Sequence, residues 1–105
     1  MKIFLDDIRF PAGEGWTIIR NSADFFHTWI YNRQHITHIA FDHDLGEKDP
    51  KTGYDLLAMV EEDYYEGIIT HPIVMTVHSM NPVGRDKMVK VIKNLELKMI
   101  ASHCK

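Results

Sequence analysis

The stretch ITHIAFDHD at residues 36–44 decides the fold, because an apolar run stops there abruptly at acidic and histidine side chains. Residues 36–41 are predicted to form a strand that ends at Asp42. Two further apolar runs stop in the same way, namely residues 3–5 before Asp6-Asp7 and residues 73–77 before His78-Ser79. Runs that are apolar throughout, rather than at alternate positions, are typical of strands inside a parallel sheet.

Segments with a helical spacing of apolar residues separate these strands. The further predicted elements are a strand at 16–20, helices at 22–33 and 54–66, a helix that starts at Asn81-Pro82, and a fifth strand at 97–101. This alternation predicts an α/β fold, in which about three helices cover a mostly parallel five-stranded sheet on both faces, as a three-layer sandwich. The whole chain, residues 1–105, is expected to be one domain.

The composition excludes several classes of protein. Of the 105 residues, 45% are apolar, which suffices for one core, and 26% are charged, which is typical of a globular surface. A net charge of −3 gives no general attraction to DNA or to an anionic membrane. No apolar run approaches the roughly 20 residues of a membrane span, and Asp6 comes too early for a signal peptide. The single cysteine, Cys104, has no partner within the chain, so we expect a reducing, cytoplasmic location.

Acidic residues collect at the carboxyl ends of the predicted strands, where open α/β sheets bind their ligands. Asp6, Asp7 and Asp42 would place three carboxylates within a few ångströms of one another there. Like charges so close together are stable only if a cation neutralises them or one carboxylate binds a proton. Oxygen ligands favour Mg²⁺, whereas an added histidine nitrogen favours Mn²⁺ or Zn²⁺. We therefore predict a divalent metal cofactor, Mg²⁺ or Mn²⁺. The alternative is that these aspartates only cap loops and helices.

Two histidines follow the same predicted strand ends. His43 and His78 are the predicted catalytic residues, which would move protons as general acid and base on either side of a phosphate. Asp44 would orient His43 by a hydrogen bond. The alternative is that each histidine only ties down a loop.

The turn into the third predicted helix has the composition of a phosphate-binding site. Ser79 and Asn81 precede a helix start, where free backbone N–H groups bind anions. Arg85 and Arg9 would add charged hydrogen bonds to the same phosphate. The alternative is ordinary helix capping, which accounts for Asn81 without any ligand.

Four motifs occur in order along the chain, namely LDDIR at 5–9, FDHDLG at 41–46, TGYDLL at 52–57 and HSMNPVG at 78–84. Together they resemble the signatures of the cyclic-phosphate processing receiver domain family, a variant of the response-regulator receiver domains. The resemblance implies a receiver-like, flavodoxin-like fold with truncated helices, and a source in bacteria or their phages. Unlike an ordinary receiver, the chain has no lysine-proline pair after its last predicted strand.

The residues and the resemblance leave three functions open. The first is a metal-dependent phosphoesterase that opens a cyclic phosphate, either on a nucleotide or on an RNA end. The second is a module that binds a phosphorylated or cyclic nucleotide without turnover. The third is a divergent signalling receiver, in which Asp42 accepts a phosphoryl group and Ser79 takes the place of the switch hydroxyl.

Overall fold

A computed structural model describes residues 1–103 and contains four strands and three α-helices. Their bounds, in chain order, are β1 Lys2–Leu5, β2 Trp16–Ile19, α1 Ser22–Asn32, β3 His38–Phe41, α2 Gly53–Tyr65, β4 Val74–Val77 and α3 Pro82–His103, with a short 3-10 helix at Arg33–His35. The predicted helices at 22–33 and 54–66 and the first four strands are confirmed to within two residues. The α/β, receiver-like fold is therefore confirmed.

The sheet has the order β2-β1-β3-β4, and every neighbouring pair is parallel. Its backbone ladder continues one residue beyond three of the strands. The N–H groups of Asp6, Asp42 and His78 donate to the carbonyls of the neighbouring strands at 3.1, 3.0 and 2.9 Å. These three residues are therefore held in register, side by side, at the carboxyl edge of the sheet.

All three α-helices lie on one face of the sheet. One buried apolar cluster joins alternate strand residues, such as Ile39, to residues of every helix, such as Phe25, Leu57 and Met88. Successive strand side chains point to opposite faces, so the intervening residues face away from the helices. Val74 is one of these, and it is 56% exposed.

The expected third layer is wrong for the described residues 1–103, since their helices and sheet form two layers. The physical reason lies in the connection from β1 to β2. It spans residues 6–15 as an irregular loop, whereas a crossover that includes a helix needs a dozen or more residues.

The predicted fifth strand at 97–101 is also wrong, because these residues belong to α3. Buried side chains recur along this helix at intervals of four, three and four residues, at Met88, Ile92, Leu95 and Met99. No glycine or proline follows Gly84 to end the helix, so the helical period continues through 97–101. None of the described helices combines the length and the apolar character needed to cross a bilayer. Cys104 lies outside the described residues.

The start of α2 packs directly against the end of β3. Thr52 caps the helix in a capping box with Asp55, and the Gly53 N–H donates to the His43 carbonyl at 2.8 Å. A Cβ atom at Gly53 would lie 1.7 Å from the Asp42 carbonyl oxygen. Only glycine therefore allows α2 to approach this strand end, and the close approach fixes the backbone that carries Asp42.

Candidate functional site

Three side chains from three neighbouring strands converge at the carboxyl edge of the sheet. One potential ligand atom from each of Asp6, Asp42 and His78 lies within 4.8 Å of the others. The Asp6 side chain is fully buried, Asp42 is 7% exposed, and the His78 side chain is 24% exposed. The parallel register accounts for this convergence, because each residue directly follows a paired strand.

The carboxylate of Asp6 is held by hydrogen bonds on both oxygens. Oδ1 accepts the backbone N–H groups of Ile8 and Arg9 at 2.9 and 2.8 Å, and Oδ2 lies 3.1 Å from Nε2 of His78. Burial, the largest influence, would raise the pKa of Asp6. The bonds from Arg9 and Ile8, together with His78, outweigh it and lower the pKa below its ordinary value. Asp6 is therefore a fixed anion of the site.

The carboxylate of Asp42 has the opposite environment. Burial and neighbouring charges, with no hydrogen bond from a described residue, set the pKa of its side chain, and this side chain lines a cleft beside the site. Burial, followed by the negative charge of Asp6, raises the pKa of Asp42 above its ordinary value, although His78 and Arg9 oppose this. A buried carboxylate beside a second carboxylate is stabilised by a cation or by a proton.

His78 joins the site to the sheet. Its ring stacks on the ring of Phe4, with centroids 4.5 Å apart and planes inclined by 4°. Its backbone carbonyl accepts a hydrogen bond from Nη1 of Arg9 at 2.9 Å. Nε2 faces Asp6, whereas Nδ1 is buried and has no hydrogen-bond partner among the described residues.

A cleft of about 240 Å³ opens beside these residues. Asp7, Arg9, Asp42 and Asp44 line it, together with the exposed side chain of Met80 and two other residues. Asp7 thus shares the cleft with Asp42, and its charge also raises the pKa of Asp42, but Asp7 is not among the three residues whose ligand atoms converge.

His43 lies on the other side of the strand end. Its Nδ1 is 3.0 Å from Oδ1 of Asp44, in the arrangement expected from the sequence. Its ring packs against the start of α3, where a Cβ atom at Gly84 would lie 2.4 Å from it. His43 does not line the cleft, so its catalytic role stays a prediction.

The expected phosphate-binding residues of α3 are engaged in local hydrogen bonds. Oγ of Ser79 accepts the N–H of Asn81 at 3.1 Å, and Oδ1 of Asn81 accepts the N–H of Gly84 at 3.1 Å. Asn81 thus caps the helix, as the alternative interpretation proposed. Ser79 still has a hydroxyl hydrogen to donate, and Arg85 is exposed, so their binding of phosphate stays a prediction.

Sequence reasoning missed Arg20. Its Nη1 donates to the backbone carbonyl of Asp6 at 3.1 Å and also to the carbonyl of Arg9. Arg20 therefore fixes the turn that carries both residues. The available signal was its position directly after β2, since this places a cation at the same edge of the sheet as the aspartates.

A comparison with known protein families identifies the family of the chain. The family model of the cyclic-phosphate processing receiver domain matches residues 1–94 of the 105-residue chain. The chain belongs to this family. No curated protein and no solved structure matches the chain significantly. The chain is therefore a receiver domain associated with cyclic-phosphate processing, and Asp6, Asp42 and His78 lie in three of the motifs that resembled it.

Replacing Asp42 with asparagine is expected to stabilise the metal-free receiver domain near neutral pH, because the substitution removes a buried charge next to Asp6. The folded-state pKa of Asp42 is raised, so folding favours the protonated form. The stabilisation that wild type gains from protonated Asp42 is present at low pH and is lost as the pH rises through the folded-state pKa. The advantage of Asp42→Asn should therefore shrink on acidification. The measurement is urea unfolding in EDTA, from neutral pH down to a pH below the folded-state pKa of Asp42.

Asp86→Asn is the matched control, since Asp86 is exposed on α3. It should show no comparable pH-dependent gain. An Asp42→Asn protein that is less stable than wild type near neutral pH would contradict the proposed repulsion.

Gly84→Ala is expected to destabilise the receiver domain by about 1–3 kcal/mol, the usual cost of overpacking. The cause is the His43 ring, which lies 2.4 Å from the added Cβ position. In a His43→Ala background the ring is gone, so Gly84→Ala should be neutral or should stabilise the helix by up to about 1 kcal/mol. Denaturant unfolding of the four proteins measures this double-mutant cycle. Equal losses in both backgrounds would show that the ring is not the obstacle.

Proposed function

We propose that this receiver domain is a metal-dependent phosphoesterase that opens cyclic phosphates, on nucleotides or on RNA ends. The observation that carries the proposal is the Asp42 carboxylate. The residue is 7% exposed and lines the cleft, it lies beside the negative charges of Asp6 and Asp7, and no hydrogen bond from a described residue offsets them. Such a group is costly in a folded protein unless a cation or a proton compensates its charge, and a divalent cation does so near neutral pH.

The residues present fit a divalent cation. Asp6 and Asp42 supply hard oxygen ligands, and Asp7 lines the same cleft. Six ligands at about 2.1 Å lie roughly 3 to 4.2 Å from one another, so the observed limit of 4.8 Å requires only a small closure of the side chains. When bound, Mg²⁺ or Mn²⁺ would neutralise phosphate charge and lower the pKa of a water molecule.

His78 is the proposed proton donor rather than a metal ligand. A histidine that binds a metal through one nitrogen almost always donates its other N–H to an acceptor. Nδ1 of His78 is buried and has no such acceptor among the described residues. With the proton on Nε2, His78 instead donates to Asp6 and leaves only a lone pair unpaired at Nδ1. To act as the acid, His78 would first take up a second proton on Nδ1; the imidazolium beside Asp6 would then pass its Nε2 proton to the leaving oxygen and remain as neutral imidazole.

Arg9 is the proposed phosphate ligand of the cleft. Its Nη1 is anchored to the His78 carbonyl, and its side chain is 43% exposed. Its Nε faces Oδ2 of Asp6 at 3.9 Å, and the N–H groups of Nη2 would bind a phosphate oxygen. Ser79, Asn81 and Arg85 would act at the edge of the site. The convergence of His78 with Asp6 and Asp42 favours His78 over His43 as the acid, because the His43 ring packs against Gly84 instead.

The test is hydrolysis of 2′,3′-cyclic and 3′,5′-cyclic nucleotides and of RNA with a cyclic phosphate end, each with Mg²⁺ and with Mn²⁺. His78→Gln should reduce turnover about 10²–10⁴-fold, the usual contribution of general acid–base catalysis. The metal-induced rise in melting temperature should persist in that variant, because Asp6 and Asp42 remain. Asp42→Asn should lose both turnover and the metal response. His27→Gln, at an exposed position of α1, is the control and should resemble wild type.

Two results would overturn parts of this proposal. Binding of cyclic phosphates without turnover would identify the domain as a binding module. Loss of the metal response in His78→Gln would identify His78 as a metal ligand and remove its role as proton donor.

A further inference from the structure

The face of the sheet opposite the helices carries two rows of side chains that the proposed chemistry does not use. Alternate strand residues and the parallel register define the rows. The row nearer the carboxyl edge consists of Ile18, Phe4, Ala40 and Thr76. The row behind it consists of Trp16, Lys2, His38 and Val74. We call this surface the open face.

A cavity of about 330 Å³ lies on the open face and shares one residue, His78, with the candidate site. Phe4, Trp16, Ala40 and Val74 line it, and so does His78. His78 therefore belongs to both places, since its Nε2 faces Asp6 while its ring stacks on Phe4 in the cavity wall. Any ligand that occupies both the cleft and the cavity would pass His78.

The register places the cavity next to the candidate site. Asp6, Asp42 and His78 follow Phe4, Ala40 and Thr76 by two residues, and the ladder hydrogen bonds continue through them. Two residues along a strand span roughly 7 Å. A phosphate held by the aspartates would therefore lie about that far from the first row of the cavity, and one ribose can bridge such a gap.

The lining of the cavity has the chemistry of a site for a flat, uncharged ring. The ring of Phe4 lies edge to face with the ring of Trp16, at 6.2 Å and 73°. Trp16 is also edge to face with His38, at 6.5 Å. None of the described residues that line the cavity carries a carboxylate, and Lys2 places its ammonium 4.4 Å above the Trp16 ring. Aromatic side chains of this kind on an open sheet face bind bases by stacking.

We propose that the cavity on the open face binds the nucleobase of the phosphate ligand, so that the substrates are nucleotides or RNA ends rather than base-free cyclic phosphates. This inference rests on the proposed function, because the cleft at Asp6 and Asp42 would hold the phosphate. The volume of about 330 Å³ is at the lower end for ligand cavities, which suits a single base.

The test compares two ligands without a cyclic ester, adenosine 3′-phosphate and ribose 3-phosphate, in the presence of Mg²⁺. Stacking of one base should make the nucleotide bind about 5- to 150-fold more tightly. In NMR spectra the indole N–H signal of Trp16 should shift on binding. The signal of Trp29 should not shift, because this side chain is buried and its indole N–H donates a hydrogen bond to Asp63.

Trp16→Leu should abolish the preference for the nucleotide and leave the affinity for ribose 3-phosphate unchanged. Trp16→Phe should retain much of the preference, because a ring remains. Tyr31→Leu is the matched control, since Tyr31 is an exposed aromatic residue of α1, away from the open face.

Equal affinities for the two ligands, or a preference that survives Trp16→Leu, would overturn the inference. So would a dimer that dissociates on Trp16→Leu without any base preference, since the open face would then bind a second copy. A failure of the proposed function can be distinguished from a failure of this inference. If no cyclic phosphate is hydrolysed but adenosine alone still binds in a Trp16-dependent way, the phosphoesterase is contradicted and the base site is supported.

Discussion

The parallel backbone ladder continues one residue beyond β1, β3 and β4, and the arrangement of the rest of the site depends on those three hydrogen bonds. These hydrogen bonds, 2.9–3.1 Å long, run from the three residues to carbonyls of the neighbouring strands. They place Asp6, Asp42 and His78 side by side, although Asp6 and His78 are 72 positions apart in the sequence. No loop has to carry these side chains to one another. A shift of one residue in any strand would turn its functional side chain to the helical face of the sheet.

The electrostatics of the site divide the two buried aspartates into different roles. Asp6 is compensated inside the protein, by two backbone N–H groups and His78, and its pKa is lowered. Asp42 is left without such partners, and its pKa is raised by burial and by Asp6. Such an asymmetry suits a site in which one carboxylate is fixed and the other awaits a cation. The close contacts of Gly53 and Gly84 keep the backbone around Asp42 and His43 in place for this purpose.

Much of this edge could be predicted from sequence, because abrupt ends of apolar runs identify strand ends, and parallel topology places those ends together. The position of Asp6 relative to Asp42 follows from that reasoning alone. The strand predicted at 97–101 failed for a physical reason, since a short apolar run has no period that separates strand from helix, and the preceding helix contains no stop signal. The packing of His43 against Gly84 depends on the approach of α3 to β3, which no local pattern encodes. The open face was not predicted, because strands that are apolar throughout are typical of a sheet covered by helices on both faces.

We propose that the carboxyl edge of this receiver domain binds one divalent cation through Asp6 and Asp42. A crystal structure with Mn²⁺, located by its anomalous scattering, tests it most directly. The account predicts a single strong peak within about 2.2 Å of oxygens from both carboxylates, with Nε2 of His78 outside the coordination sphere. Crystals grown in millimolar Mn²⁺ that show no peak at this edge, or a peak ligated only elsewhere on the domain, would contradict it.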